Sequence, residues 1–76
     1  MDEASLQEKL GAAVRERRTA LEMSQEAFAD SIEMHRAYYS KIERGERNVT
    51  IQVIADLARA LGVRIPDLFE TGPAAR

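Results

Sequence analysis

The chain has 76 residues, no cysteine, and a formal net charge of −2 from 11 basic and 13 acidic side chains. One domain is the prior for that length, burying little more than ~60% of its unfolded surface. Disulfide staples and thiolate metal sites are excluded, no apolar run approaches a membrane span, and the acidic start Met1-Asp2-Glu3 is no signal peptide, so a cytoplasmic protein is expected.

Taken in order, residues 1–5 read as an N-terminal extension, although Ser5-Leu6-Gln7-Glu8 has the form of a capping box that would open a helix. Leu6, Leu10, Ala13, Val14 and Leu21 give that helix an apolar side, and Gly11 inside it suggests close helix packing. Ser24 is a good cap for a second short helix that runs to about Ser31. A turn follows, and Met34 or His35 leads into a third helix that ends near Arg44, with Gly45 as a left-handed cap. Thr50 can cap a fourth helix carrying Ile51, Ile54, Leu57, Ala58 and Leu61, which Gly62 ends. Val63, Ile65, Leu68 and Phe69 suggest a short fifth helix with Pro66 in its first turn, and residues 71–76 read as a flexible tail. No strand-period segment or repeat appears. The expected fold is all-α, five short helices in one domain over residues 6–70.

Charge is unevenly placed. Residues 1–33 carry four basic and eight acidic residues, whereas residues 34–50 carry four basic and two acidic ones, with His35 in addition. The positive excess is therefore confined to the third helix and the loop after it. At 100° per residue, Tyr39 and Ile42 share one side of that helix, and Arg36, Ala37, Ser40, Lys41 and Arg44 share the opposite side. A short helix, a tight turn and a second helix with a polar, cationic outer face point to a helix-turn-helix DNA reader at about residues 25–44. A merely solvated helix face is the plainer alternative. No catalytic constellation is present: no serine has a neighbouring base, the carboxylates are scattered, and no Gly-rich phosphate loop occurs. One histidine without cysteines or clustered carboxylates is no metal site, so neither a metal nor any other cofactor is expected.

The segments Met23-Ser24-Gln25-Glu26, Ala29, Ser40-Lys41-Ile42-Glu43-Arg44-Gly45 and Leu57-Ala58-Arg59-Ala60-Leu61-Gly62-Val63 resemble the Xre/Cro/lambda-repressor type of helix-turn-helix family. The resemblance covers about residues 6–70. Arg36-Ala37-Tyr38-Tyr39-Ser40 with the stretch Ile42 to Ile51 looks most like restriction–modification controller proteins. The sequence departs from the family pattern in four places: Glu33 stands where the turn usually has Gly or Asn, His35 where a Ser, Thr or Asp caps, Tyr39 at an aliphatic position, and Val49 where a Pro is common.

Arg36 on the outer face can offer guanine O6 and N7 a bidentate contact. The resemblance implies base contacts for Arg36, Ala37, Ser40 and Lys41. Gln25 at the start of the second helix suits a phosphate; His35 and Tyr38 are further candidates for backbone contact, and Tyr38 can equally pack inward. Arg44, Arg47 and Asn48 form a loop rim expected at the backbone or an adjacent minor groove. The resemblance implies that Glu43 pairs with Arg18 and belongs to the scaffold. Leu61, Ile65, Leu68 and Phe69 exceed what a monomer needs to bury and are the expected dimer interface.

These readings imply a sequence-specific transcriptional regulator, acting as a homodimer on a pseudo-palindromic operator in double-stranded DNA, with RNA polymerase as a further candidate partner, cytoplasmic and nucleoid-associated. In the controller-like version it regulates its own gene and a neighbouring endonuclease gene. A phage-type or antitoxin-type repressor, or a protein-interaction module on the same fold, are the alternatives.

Overall fold

The structure, a computed structural model, describes residues 3–69. Its elements are α1 (Glu3–Ala20), α2 (Gln25–Ser31), α3 (Arg36–Glu43), α4 (Ile51–Leu61) and a 3₁₀ helix (Ile65–Phe69). The described residues contain no strand, and no described helix is long and apolar enough to cross a membrane. The tail expected at 71–76 lies outside the described residues.

Helix starts follow side-chain chemistry. Ser24 Oγ accepts from the Ala27 N–H at 3.0 Å, and Thr50 Oγ1 accepts from the Val53 N–H at 3.1 Å, each satisfying a first-turn donor. His35 occupies the cap position of α3 without a side-chain cap bond. The capping box at Ser5 is corrected: α1 already runs from Glu3, so Ser5 and the supposed extension residues 3–5 lie inside it. The stretch Glu3 to Leu10 is made almost wholly of good helix formers, and nothing in it stops the helix at Ser5.

All four helices end the same way. At each C-terminus one residue takes a left-handed backbone, and two reversed hydrogen bonds recover the last carbonyls: Glu22 N–H to Thr19 and Met23 N–H to Arg18; Glu33 to Asp30 and Met34 to Ala29; Gly45 to Ile42 and Glu46 to Lys41; Gly62 to Arg59 and Val63 to Ala58. Glycine supplies the positive φ at Gly45 (72°) and Gly62 (73°), but glutamate does so at Glu22 (59°) and Glu33 (55°).

The fifth expected α-helix is instead a 3₁₀ helix. Arg64 N–H donates to the Asp67 carboxylate at 3.0 Å, and Asp67 N–H donates to the Arg64 carbonyl at 2.9 Å, closing a tight three-residue turn. Pro66 stands in the helix's first turn, where a missing N–H costs little, and five residues suit the short runs in which 3₁₀ helices occur.

One core joins all five elements: Leu10 and Val14 of α1, Phe28 and Ala29 of α2, Tyr39 and Ile42 of α3, Leu57, Ala58 and Leu61 of α4, and Leu68 of the 3₁₀ helix. The Phe28 and Tyr39 rings pack tilted, 5.2 Å between centroids. Three residues expected on apolar faces are exposed: Leu6, Leu21 and Ile51. Leu21 follows the last residue of α1 and Ile51 is the first of α4, so both stand at helix ends beyond the packed faces.

α1 and α3 approach backbone to backbone at Gly11. A Cβ there would come within 2.5 Å of the Glu43 carbonyl oxygen and closer still to that of Ile42. Gly11→Ala is expected to force the two helices apart, costing roughly 1–3 kcal/mol and lowering the melting temperature by about 4–8 °C per kcal/mol; thermal unfolding by circular dichroism checks this. Glu33→Gly should act oppositely. Relief of the left-handed penalty exceeds glycine's added unfolded-state entropy, and a gain of about 0.5–1 kcal/mol is expected in the same measurement.

Candidate nucleic-acid interface

The third helix shows two chemically distinct sides. Tyr39, Ile42 and Glu43 are buried, while Arg36, Ala37, Lys41 and Arg44 are exposed and Ser40 is half-buried. With 100° per residue, Arg36, Ser40, Arg44, Ala37 and Lys41 fall within an arc of about 140°. None of the exposed large apolar side chains (Leu6, Leu21, Ile51, Ile65) lies on this helix. Its outer face is thus polar and cationic, with small Ala37 leaving room for close approach.

The orientation of that face is set by one carboxylate. Glu43 Oε2 accepts from Arg18 Nε at 2.6 Å and from the Tyr39 hydroxyl; its Oε1 accepts from Arg18 Nη2 at 3.2 Å and from Gln25 Nε2 at 2.9 Å. Arg18 Nη1 also donates to the Met23 carbonyl at 2.7 Å, so the guanidinium ties α1 to the turn before α2. Side-chain exposure is 12% for Arg18 and 3% for Glu43, which places the pair inside the protein. Burial works against the Glu43 carboxylate, but hydrogen bonds from Arg18, Tyr39 and Gln25 outweigh it and hold its pKa below the ordinary value. The bond to Glu43 raises the Arg18 pKa, and burial, with the adjacent carboxylate, raises that of Tyr39. No buried side-chain nitrogen or oxygen among the described residues lacks a partner.

The loop rim is held by contacts that carry no sequence signal. Arg44 Nε and Nη2 donate to the two Glu46 carboxylate oxygens at 3.1 and 3.3 Å, and Arg44 Nη1 donates to Ser40 Oγ at 2.7 Å. Arg44 in turn holds the Glu46 pKa below its ordinary value. The Arg47 guanidinium lies 5.0 Å from the centre of the Tyr38 ring, and Tyr38 itself packs against the core. Asn48 accepts a hydrogen bond from Gln7 of α1. His35 is exposed beside Arg36 at the start of α3.

Two sets of residues are placed differently from the sequence reading. The outward role of the Gln25 side chain is corrected to an inward one: it is half-buried, and its amide nitrogen serves a Glu43 oxygen that Arg18 and Tyr39 leave partly unoccupied. Leu61 and Leu68, expected at a dimer interface, are core residues at 8% and 0% exposure, because α4 and the 3₁₀ helix turn them onto α1. Ile65 is exposed and Phe69 half-buried, and these remain available on that side.

Glu43→Gln is expected to cost about 3 kcal/mol by leaving Arg18 buried without its counter-charge. At 4–8 °C per kcal/mol the melting temperature falls by about 12–24 °C. The folded pKa of Glu43 is lowered, so its contribution is complete above the ordinary carboxyl value of 4.5 and is lost as pH falls through the lower folded value. The gap in melting temperature between wild type and variant therefore closes in acid and stays open at neutral pH.

A helix-turn-helix family model matches residues 14–68. The chain is 40% identical over 64 residues to the control protein C.SmaI of Serratia marcescens, covering 84% of this chain and 76% of that one. The crystal structure of the restriction–modification controller protein C.AhdI from Aeromonas hydrophila superposes with a TM-score of 0.83 at 39% identity, covering 91% of this chain and 100% of the other. The controller protein C.Esp1396I, solved as a tetramer in complex with its natural 35-base-pair operator, superposes with a TM-score of 0.72 at 27% identity, covering 86% and 96%. The chain belongs to the helix-turn-helix family and is similar to restriction–modification controller proteins within it.

Proposed function

We propose that this protein is a sequence-specific transcriptional regulator that binds double-stranded DNA as a homodimer, in the manner of a restriction–modification controller. The observation that carries the reading is the outer face of α3, whose exposed Arg36, Lys41 and Arg44 stand clear of large apolar side chains while Glu43 is turned inward to Arg18. A protein-docking helix would present apolar surface there instead. The operator complex of C.Esp1396I supports the same assignment by similarity.

In this reading α3 enters the major groove. Arg36, Ala37, Ser40 and Lys41 meet base edges; His35, Tyr38, Arg44, Arg47 and Asn48 meet the backbone or the neighbouring minor groove. Backbone N–H groups at the start of α2, rather than the Gln25 amide, face phosphate. The functional unit is one domain to about residue 70, with the 3₁₀ helix and its exposed Ile65 and half-buried Phe69 at the two-fold interface. Two-fold symmetry sets the paired recognition helices about 34 Å apart, one DNA turn. Regulation follows from covering a promoter or touching RNA polymerase beside it, and the protein resides on the nucleoid.

A duplex selected by the protein from a random-sequence library, and a scrambled duplex of the same composition, provide the test. Arg36→Ala should weaken binding to the selected duplex by about 5- to 150-fold, the worth of one bidentate base contact, and change binding to the scrambled duplex far less. Equal losses on both would make Arg36 a phosphate contact. Sedimentation at micromolar concentration should give twice the 8.5 kDa chain mass, and Ile65→Asp should return it to the monomer value; a wild-type monomer would overturn the interface.

A further inference from the structure

The structure assigns Glu46 as a positioning residue for DNA recognition: with Ser40 it holds the Arg44 guanidinium so that a defined pair of N–H groups faces outward. The assignment rests on the DNA-binding reading above and goes beyond it, because Glu46 itself carries the wrong charge to touch DNA.

The count of donors makes the case. A guanidinium has five N–H groups in a fixed plane. In Arg44 the Nε–H and one Nη2–H are taken side-on by the two Glu46 oxygens, at 3.1 and 3.3 Å, and one Nη1–H is taken by Ser40 Oγ at 2.7 Å. One N–H remains on each terminal nitrogen. These are the donors left for phosphate oxygens or for acceptors in the neighbouring minor groove. Ser40 is one turn back on the same helix and Glu46 lies just past its left-handed cap at Gly45, so the plane of the guanidinium is referenced to α3 on both sides. A free arginine on a solvated surface loses side-chain entropy on docking; one already held in plane loses less, and meets misaligned acceptors poorly. The carboxylate has a second effect of opposite sign. It subtracts one positive charge from the face and so weakens contact with any DNA backbone. Both effects favour discrimination over raw affinity.

This predicts a sign reversal that neither a bystander carboxylate nor a simple field effect produces. Glu46→Gln should bind the scrambled duplex several-fold tighter, with a steeper salt dependence by about one charge, and bind the selected duplex no tighter or several-fold weaker. The ratio between the two should fall several-fold, because a held Arg44 fits the backbone and minor-groove shape of the selected duplex better than that of the scrambled one. In an Arg44→Gln background the further change Glu46→Gln should leave that ratio unmoved, since the residue acts through Arg44. Glu46→Asp, which keeps the charge and one bond, should restore part of the ratio. If Glu46→Gln tightens both duplexes equally, or does so equally with and without Arg44, Glu46 is only a local charge and the assignment is overturned. Failure of the wild type to prefer its selected duplex would instead overturn the DNA-binding reading, so the two failures are distinct.

Discussion

A single buried carboxylate organises the first three helices. Glu43 sits on α3, and its donors come from α1 (Arg18), α2 (Gln25) and α3 itself (Tyr39), while the remaining arm of Arg18 reaches the carbonyl of Met23 in the turn between α1 and α2. An ion pair at this depth is weak evidence for net stability, because desolvation offsets most of its attraction. Its value lies in geometry. The fork of Arg18 meets the carboxylate with both Nε and Nη2, which fixes the distance and the rotation of α3 relative to α1 at once. Gly11 then lets the C-terminal carbonyls of α3 lie directly on α1, where any side chain would prop them away. Polar bonding and steric clearance thus specify the same arrangement from neighbouring points.

The outer face depends on that arrangement. Because Glu43 is satisfied inward, the exposed arc of α3 is left with Arg36, Ser40, Lys41 and Arg44, and a chain of net charge −2 presents a locally cationic helix. The acidic remainder of the protein tends to repel polyanions. Binding through such a surface favours a few placed contacts over general attraction, in keeping with the self-contained pairing of Arg44 with Glu46.

Much of this was legible in the sequence because it is local. Ser24 and Thr50 announce helix starts, Gly45 and Gly62 announce ends, and the 3.6-residue period of α3 separates its two faces. What was illegible is nonlocal or contrary to propensity. Glu22 takes a left-handed turn that only the reversed hydrogen bonds to Arg18 and Thr19 reveal. Gln25 looks like a surface residue until Glu43, 18 positions away, is seen to accept from it. Leu61 and Leu68 read as surplus apolar area, since a list of residues does not say how much surface α1 offers to cover them. The paired bonds between Arg64 and Asp67 tighten the last element into a 3₁₀ turn, which hydrophobic spacing alone does not distinguish from an α-helix.

The hydrogen bond from Gln7 to Asn48 has a dynamic consequence. The backbone of Gly45 lies against Glu8, where an added Cβ would meet the Glu8 Cα at 3.0 Å, so the loop after α3 rests along the first two turns of α1. Residues more than 35 positions apart in sequence are therefore in contact, and opening of one removes contacts from the other. Any ligand that grips Arg47 or Asn48 then slows amide exchange at the beginning of α1, far from its own footprint, and fraying of α1 loosens the loop in return. Occupancy of the rim at Arg47 and Asn48 would then be readable in the protection of the first turns of α1.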